Sequence, residues 1–233
     1  MLLAVGLLVG CASANLGSNS NPDGQPGDSQ NEPDTSPPDS APVQATLQQT
    51  TNTTVTDLNS VACAQIDGNG NLLFTHANSW YRVYSLADAG ITGSFDVSKV
   101  TFGVESSQNE PPLTIKVGSY GGTPDDTAPL DLAQVTVLGT TTAVVANTTT
   151  AVSIDAPITA TLPAGGKLIV EITSTARTTN GERFLIGTTT GPFQHTNYLA
   201  SATCAITVPT TMAALGCVGC AASQAIITVT GTH

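Results

Sequence analysis

Four cysteines, Cys63, Cys204, Cys217 and Cys220, have the types and spacing that most directly promise chemistry. An even number of thiols in an exported chain predicts two disulfides. Three pairings are open. The favoured one joins Cys63 to Cys204, closing a loop of about 140 residues, and Cys217 to Cys220, which tightens a local turn. Two rival chemistries use the same atoms. Cys217-Val218-Gly219-Cys220 has the spacing of a redox pair, but follows no strand and starts no convincing helix. Cys204, Cys217 and Cys220 with His195 supply zinc-type ligands at loose spacing.

Asp67-Gly68-Asn69-Gly70-Asn71 offers oxygens at alternate positions, as calcium loops do, without the distant bidentate Glu of an EF-hand. The same composition suits a turn between strands. Asp67, Asn69 and Asn71 are therefore the candidate metal ligands, with calcium the ion, and no other cofactor is expected. Asp125 and Asp126 sit in a Pro/Gly loop and read as a solvated turn or a further calcium contact. Trp80, Tyr81, Tyr84, Tyr120 and Tyr198 are the rings able to stack on a pyranose. Trp80, at strand spacing, is expected in the core. Tyr120 and Tyr198, beside turns, are the candidate ligand contacts. Arg82, Arg183, Glu105 and Glu171 fall within strand patterns and are expected to pair across strands. His76 and His195 have no Ser or carboxylate partner in a motif, and Gly-x-Ser-x-Gly, His-Glu-x-x-His and a P-loop are absent from the sequence. No catalytic residue is assigned and no enzyme is expected. A hydrolase with a dispersed site is the catalytic alternative.

These residues must be positioned by strands. Charged residues make up only 10% of the chain and the formal charge is −11, so no basic patch exists to neutralise phosphates. Arg82, Lys99, Lys116, Lys167, Arg177 and Arg183 are scattered, which argues against a nucleic-acid partner. From Leu47 onward, short runs of strand formers alternate with turn signals. Residues 97–105 put Val100, Phe102 and Val104 on one face. Residues 80–86 put Trp80, Arg82 and Tyr84 on one face and Tyr81 and Val83 on the other. Leu168, Val170 and Ile172 point inward from 168–173. Further strands are expected over 44–56, 60–65, 113–117, 130–138, 142–146, 151–158, 183–187 and 225–230. Residues 210–216 are the one helix-like stretch, with a Thr cap and a terminal Gly. About ten strands without crossover helices predict an all-β, antiparallel, jelly-roll-like β-sandwich.

The N-terminal region reads differently. Residues 2–8 are apolar, and a helix of ten residues would span only about 15 Å, half a bilayer's hydrocarbon core. This is a secretory leader, expected over 1–10. Leu8-Val9-Gly10-Cys11 resembles the lipobox of bacterial lipoproteins. The resemblance implies that Cys11 carries diacylglycerol and becomes the first mature residue, leaving the protein on a membrane through its lipid anchor and outside the cytoplasm. Ala12 at the next position implies the outer membrane or cell surface. A leader cleaved near Ala12 or Ala14 is the alternative. Residues 11–45 follow as a tether rich in Pro, Ser and Asp. Asp23, Asp28, Glu32, Asp34 and Asp39 lack compensating bases, and such a segment buries too little apolar area to fold. As a coil, roughly 34 residues reach about 30–35 Å. The sandwich is expected over 46–233.

Within it, residues 78–105 (NSWYRVYSLADAGITGSFDVSKVTFGVE), 162–171 (LPAGGKLIVE), 184–187 (FLIG) and 196–204 (TNYLASATC) are similar to a β-sandwich domain of secreted and surface-anchored bacterial proteins. The likeness covers about residues 60–231. It implies an accessory or adhesion-like module without an assigned activity. Cys217 and Cys220 are additions to that pattern, and His76 falls where the domain's usual His does. The expectation is a surface lipoprotein displaying a non-catalytic binding module for a glycan or a surface protein. The structural alternative is a subunit of an extracellular matrix or filament, assembled by edge strands.

Overall fold

Val100, Phe102 and Val104 alternate with Thr101, Gly103 and Glu105, and this two-residue period builds the longest strand among the described residues. The computed structural model describes residues 41–48, 51–110, 112–125, 127–190 and 197–233. In it, the three apolar side chains are fully buried within a 14-residue strand. Fifteen strands are formed among the described residues: β1 (Gln44–Leu47), β2 (Ala64–Ile66), β3 (Leu72–Thr75), β4 (Asn78–Ser85), β5 (Phe95–Gln108), β6 (Leu113–Tyr120), β7 (Val135–Ala143), β8 (Val152–Leu162), β9 (Lys167–Ser174), β10 (Arg183–Ile186), β11 (Thr188–Thr189), β12 (Asn197–Ser201), β13 (Ile206–Thr211), β14 (Gln224–Ala225) and β15 (Ile227–Thr232). They belong to one compact unit, Ala41–His233.

All strand pairs are antiparallel. One sheet runs β1-β15-β5-β10 with β8 along the other side of β5, and a six-stranded sheet runs β13-β12-β4-β9-β6-β7. Trp80, Tyr84, Ile115, Val117, Leu168, Val170 and Ile172 from the second sheet pack on Val100, Phe102, Val104, Ile227 and Val229 from the first. Burying each large apolar side chain contributes about 1.5–3 kcal/mol, and together they make the sandwich core. Trp80 meets Phe184 edge-on at 5.6 Å and donates its indole N–H to the Val61 carbonyl.

Strand alternation also gives the six-stranded sheet an apolar outer patch. Tyr81, Val83 and Ile169 lie there with Tyr120, Leu130 and Tyr198 as a second cluster. Residues 121–125 and 127–131 fold back over it. The Tyr198 hydroxyl donates to the Asp125 carbonyl and accepts from the Asp125 N–H, and Leu130 N–H donates to the Pro209 carbonyl.

Several expected boundaries shift. The strand expected over 44–56 stops at Leu47, and residues 51–63 become an irregular strap across the outside of the five-stranded sheet. The strands expected over 130–138 and 142–146 are one, β7, preceded by a 3-10 turn that Asp131 caps by accepting from Ala133 N–H. Strands β3, β11, β12 and β13 are additions to the expected set. Gln44 and Ala45 pair with Thr232 and Gly231, so the sandwich takes the last residues expected of the tether. The helix-like stretch is the 3-10 helix Met212–Leu215, with Thr211 accepting from Ala214 N–H and Gly216 at φ 71°. Residues 1–40, including the expected leader and Cys11, lie outside the described residues, as do Asp126 and His195.

Cys63 is bonded to Cys204 and Cys217 to Cys220, with Cα separations of 5.8 and 5.4 Å. The pairing is the favoured one, and it consumes the thiols that a zinc site would need. The Cys63–Cys204 bond spans 141 positions against 3 for the other. Replacing Cys63 and Cys204 by Ala is expected to cost up to about 5 kcal/mol, and replacing Cys217 and Cys220 about 2 kcal/mol or less. Urea midpoints of the two double variants check this, and a larger shift for the second pair would contradict it.

Candidate functional site

The outward residues of the five-stranded sheet are largely hydroxylic. Thr46, Thr101, Ser153 and Thr228 floor a groove of about 440 Å³, with Thr53, Thr54 and Val55 of the strap as one wall. Farther along β5, a second groove of about 720 Å³ is lined by Asp57, Leu58, Glu105, Arg183 and Leu185. Ala151 lines both. These volumes fall in the range of small-molecule sites.

The strap shapes both grooves, and the bonds that seat it are explicit. Thr56 N–H donates to the Thr188 carbonyl at 2.7 Å, and the Ser60 hydroxyl to the Ile186 carbonyl at 2.6 Å. Beneath it, Gly103, Gly187 and Ile226 exchange backbone bonds where β10 and β15 meet along β5. A Cβ on Gly187 would sit 2.8 Å from the Gly103 carbonyl carbon and 2.6 Å from Val55, so only glycine permits this approach.

Glu105 is the strap's ionic contact. Its carboxylate accepts from Ser60 N–H at 3.1 Å, and the amides of Asn59 and Leu58 are aimed at it as well. Leu58 adopts φ 58°, in the left-handed region, which turns successive N–H groups toward one anion. Its side chain is thereby thrown into solvent, 96% exposed at the groove's lip. Burial pushes the Glu105 carboxyl above the usual carboxylate range. The three amides pull it down less strongly, and Asp57 adds a further upward push. Arg183 donates from Nε to the Ser106 hydroxyl at 3.2 Å and presents its guanidinium along the same groove.

Asn59 links the strap to a buried polar chain. Its amide donates to the hydroxyls of Thr188 and Ser223, and the Ser223 hydroxyl donates to its carbonyl. Asn197 donates to the Ser223 carbonyl and to Gln224 Oε1, and accepts from Ala225 N–H. Arg82, 1% exposed, donates twice to the Ala225 carbonyl and once to Gln224 Oε1. Burial lowers its guanidinium to about 10.

The other expected site residues fall elsewhere. Tyr120 is 5% exposed and Tyr198 fully buried, which corrects their assignment as solvent-facing ligand contacts. The loop that folds over the outer cluster covers both, a tertiary event that adjacent turn residues do not signal. Trp80 is in the core, as expected. Asp67 accepts from the N–H groups of Asn69 and Asn71 and from the Asn71 side chain, bonds that hold its carboxyl below the usual range and close the β2–β3 turn. Its oxygens serve the turn, and Asn71 directs its amide nitrogen toward them. Among the described residues, no group of three or more His, Cys, Asp or Glu is placed to hold a metal ion. Asp125 accepts from the Thr127 N–H and hydroxyl. His76 stands edge-on to Phe74 and donates its backbone N–H to the Cys63 carbonyl.

Glu171 pairs across strands as expected, with Lys116 Nζ at 2.9 Å, and it accepts from the Tyr81 hydroxyl at 2.7 Å. Burial alone would raise its carboxyl; the bonds from Lys116 and Tyr81 bring it below the usual range. The cleft beside this row holds only about 30 Å³.

The grooves, the strap and the Glu105 contact were not singled out as a unit from sequence. The chain matches no protein-family model, and no curated protein matches it.

Leu58→Gly relieves a left-handed residue whose side chain touches little, so it is expected to raise stability by up to about 1 kcal/mol; a denaturant midpoint below wild type would contradict this. Glu105 has a raised folded-state pKa, so its contribution to stability is complete below about pH 4.3, the unfolded value, and is lost as pH rises through the folded value. Glu105→Gln does not titrate. The stability of wild type minus that of Glu105→Gln therefore falls across this window, as urea melts at stepped pH would read; a rising difference would refute it.

Proposed function

We propose that this chain is a lipid-anchored surface protein whose sandwich is a non-catalytic binding module, with a glycan as its ligand. The pair of grooves on the five-stranded sheet carries this reading. Thr46, Ser153 and Thr228 supply hydroxyls that both donate and accept, as sugar hydroxyls require, and Thr101, whose hydroxyl donates to Asp155 at 2.7 Å, supplies an acceptor. Val55, Leu58, Ile226 and Leu185 supply apolar contact for the C–H faces. Arg183 adds a planar donor at one end. On this reading Cys11 is acylated, and the formal charge of −11 disfavours nucleic acid as a partner. The protein then lies outside the cytoplasm, on the outer membrane or cell surface.

A dispersed hydrolytic site would have to use Glu105 and Asp57, the carboxylates of the larger groove. Glu105 already accepts from the strap amides, which commits its oxygens to seating the strap. Assembly into a matrix or filament would use the edge strand β13. Its Val208 is half exposed, but Pro209 interrupts the donors of that edge.

Purified full-length protein on a glycan array is expected to bind a defined subset of glycans. Arg183→Ala or Thr101→Val should weaken that binding on the order of tenfold, the effect of one lost hydrogen bond to a charged or well-placed group. Cys11→Ser should move the protein from the membrane to the soluble fraction. A blank array with folded protein would refute the ligand class, and membrane retention of Cys11→Ser would refute the anchor.

A further inference from the structure

The loop of residues 212–222 reads Met-Ala-Ala-Leu-Gly-Cys-Val-Gly-Cys-Ala-Ala, without one charged or hydrogen-bonding side chain, in a chain of formal charge −11. Most of it faces solvent: Ala213, Ala214, Gly216, Cys217, Ala221 and Ala222 are exposed, and Val218 at the tip is completely so. The disulfide within this loop is asymmetric, with Cys217 exposed and Cys220 only 4% exposed. An uncharged apolar platform around an accessible sulfur is what an incoming polypeptide thiol needs.

We propose that Cys217–Cys220 is a thiol–disulfide exchange site whose substrate is a protein dithiol, and that Cys63–Cys204 is structural. The geometry lets the bond open and close without disturbing the fold. Cys220 N–H donates to the Cys217 carbonyl, which keeps the two residues in register when the sulfurs part. The flanks are held without the sulfurs, by Thr211 accepting from Ala214 N–H on one side and the Ser223 hydroxyl donating to Asn59 on the other. Gly216 and Gly219, at φ 71° and 81°, supply the left-handed turns on which the tip pivots. Cys204 is exposed too, but its partner Cys63 is 3% exposed and is clasped by Asn78, whose side chain accepts from its N–H and donates to its carbonyl. Opening that bond frees a span of 141 positions rather than 3.

The exchange balances as follows. A substrate thiolate attacks Cys217 Sγ, and the bond to Cys220 Sγ breaks. Cys220 leaves with the electron pair and takes up the proton the substrate thiol lost. The substrate's second thiolate then attacks its own sulfur in the mixed disulfide and releases Cys217, which is protonated in turn. The substrate dithiol is oxidised to a disulfide and the protein's disulfide is reduced to two thiols.

Two measurements on the full chain test this. Oxidised protein is treated with dithiothreitol at neutral pH, quenched with iodoacetamide and mapped by mass spectrometry. Cys217 and Cys220 should be labelled on the order of a hundredfold faster than Cys63 and Cys204, with the near-ultraviolet circular dichroism unchanged. Equal rates, the reverse order, or labelling only as that signal is lost would overturn the proposal. In the second, Cys220→Ser and Cys217→Ser are each exposed to oxidised glutathione. Cys217 in the first should form a mixed disulfide at least about tenfold faster than Cys220 in the second, and equal rates would overturn the assignment of the attacked sulfur.

Discussion

A guanidinium in the middle of an apolar core constrains everything around it. Arg82 lies on the inward face of β4 between Trp80 and Tyr84, where alternation places it whether or not charge is welcome. An ion without compensation there would cost several kcal/mol, so its donors must be met by protein acceptors. The Ala225 carbonyl and Gln224 meet three of its bonds, which fixes β14 at one place beneath the six-stranded sheet. Tyr84 repeats the device one position along the same face, donating its hydroxyl to the Ile227 carbonyl at 2.6 Å. Burial raises the Tyr84 phenol, so it remains a donor at physiological pH.

From that anchor the polar chain runs outward through Asn197 and Ser223 to Asn59, and so to the strap. The grooves on the outer face of the five-stranded sheet are thus shaped by a charge on the inner face of the other sheet. Each link is a buried side chain bonded to backbone, the arrangement in which loss of one partner strands the other. The Glu105 carboxylate and the glycine crossing at Gly187 complete the seating from the surface side.

The core was legible because strand alternation is a local signal. Val100, Phe102 and Val104, and Leu168, Val170 and Ile172, are all fully buried where the period put them. The Thr211 cap with Gly216, and the cysteine pairing, were legible for similar reasons: few residues satisfy those roles. Tyr120 and Tyr198 were misread because their burial depends on a loop folding back over an outer face, which neither neighbours nor spacing record. The strap was misread as strand because Thr-rich segments fit an edge strand and an irregular cover equally well. Its conformation is set by Glu105 and by Thr188 and Ser223, the partners of Asn59, all distant from the strap in sequence. Arg82 was placed on the right face, but its partners are an uncharged backbone carbonyl and a Gln side chain some 140 positions away, invisible to a search for opposite charges.

The strand order has a consequence for how the chain must come to rest. β15, the last strand, lies between β1, the first, and β5, so Gln44 pairs with Thr232 and Asp96 with the same residue. The five-stranded sheet therefore lacks an interior member until its final segment has been delivered. A polypeptide emerging residue by residue cannot complete this layer on the way; it must wait, open, for the closing piece.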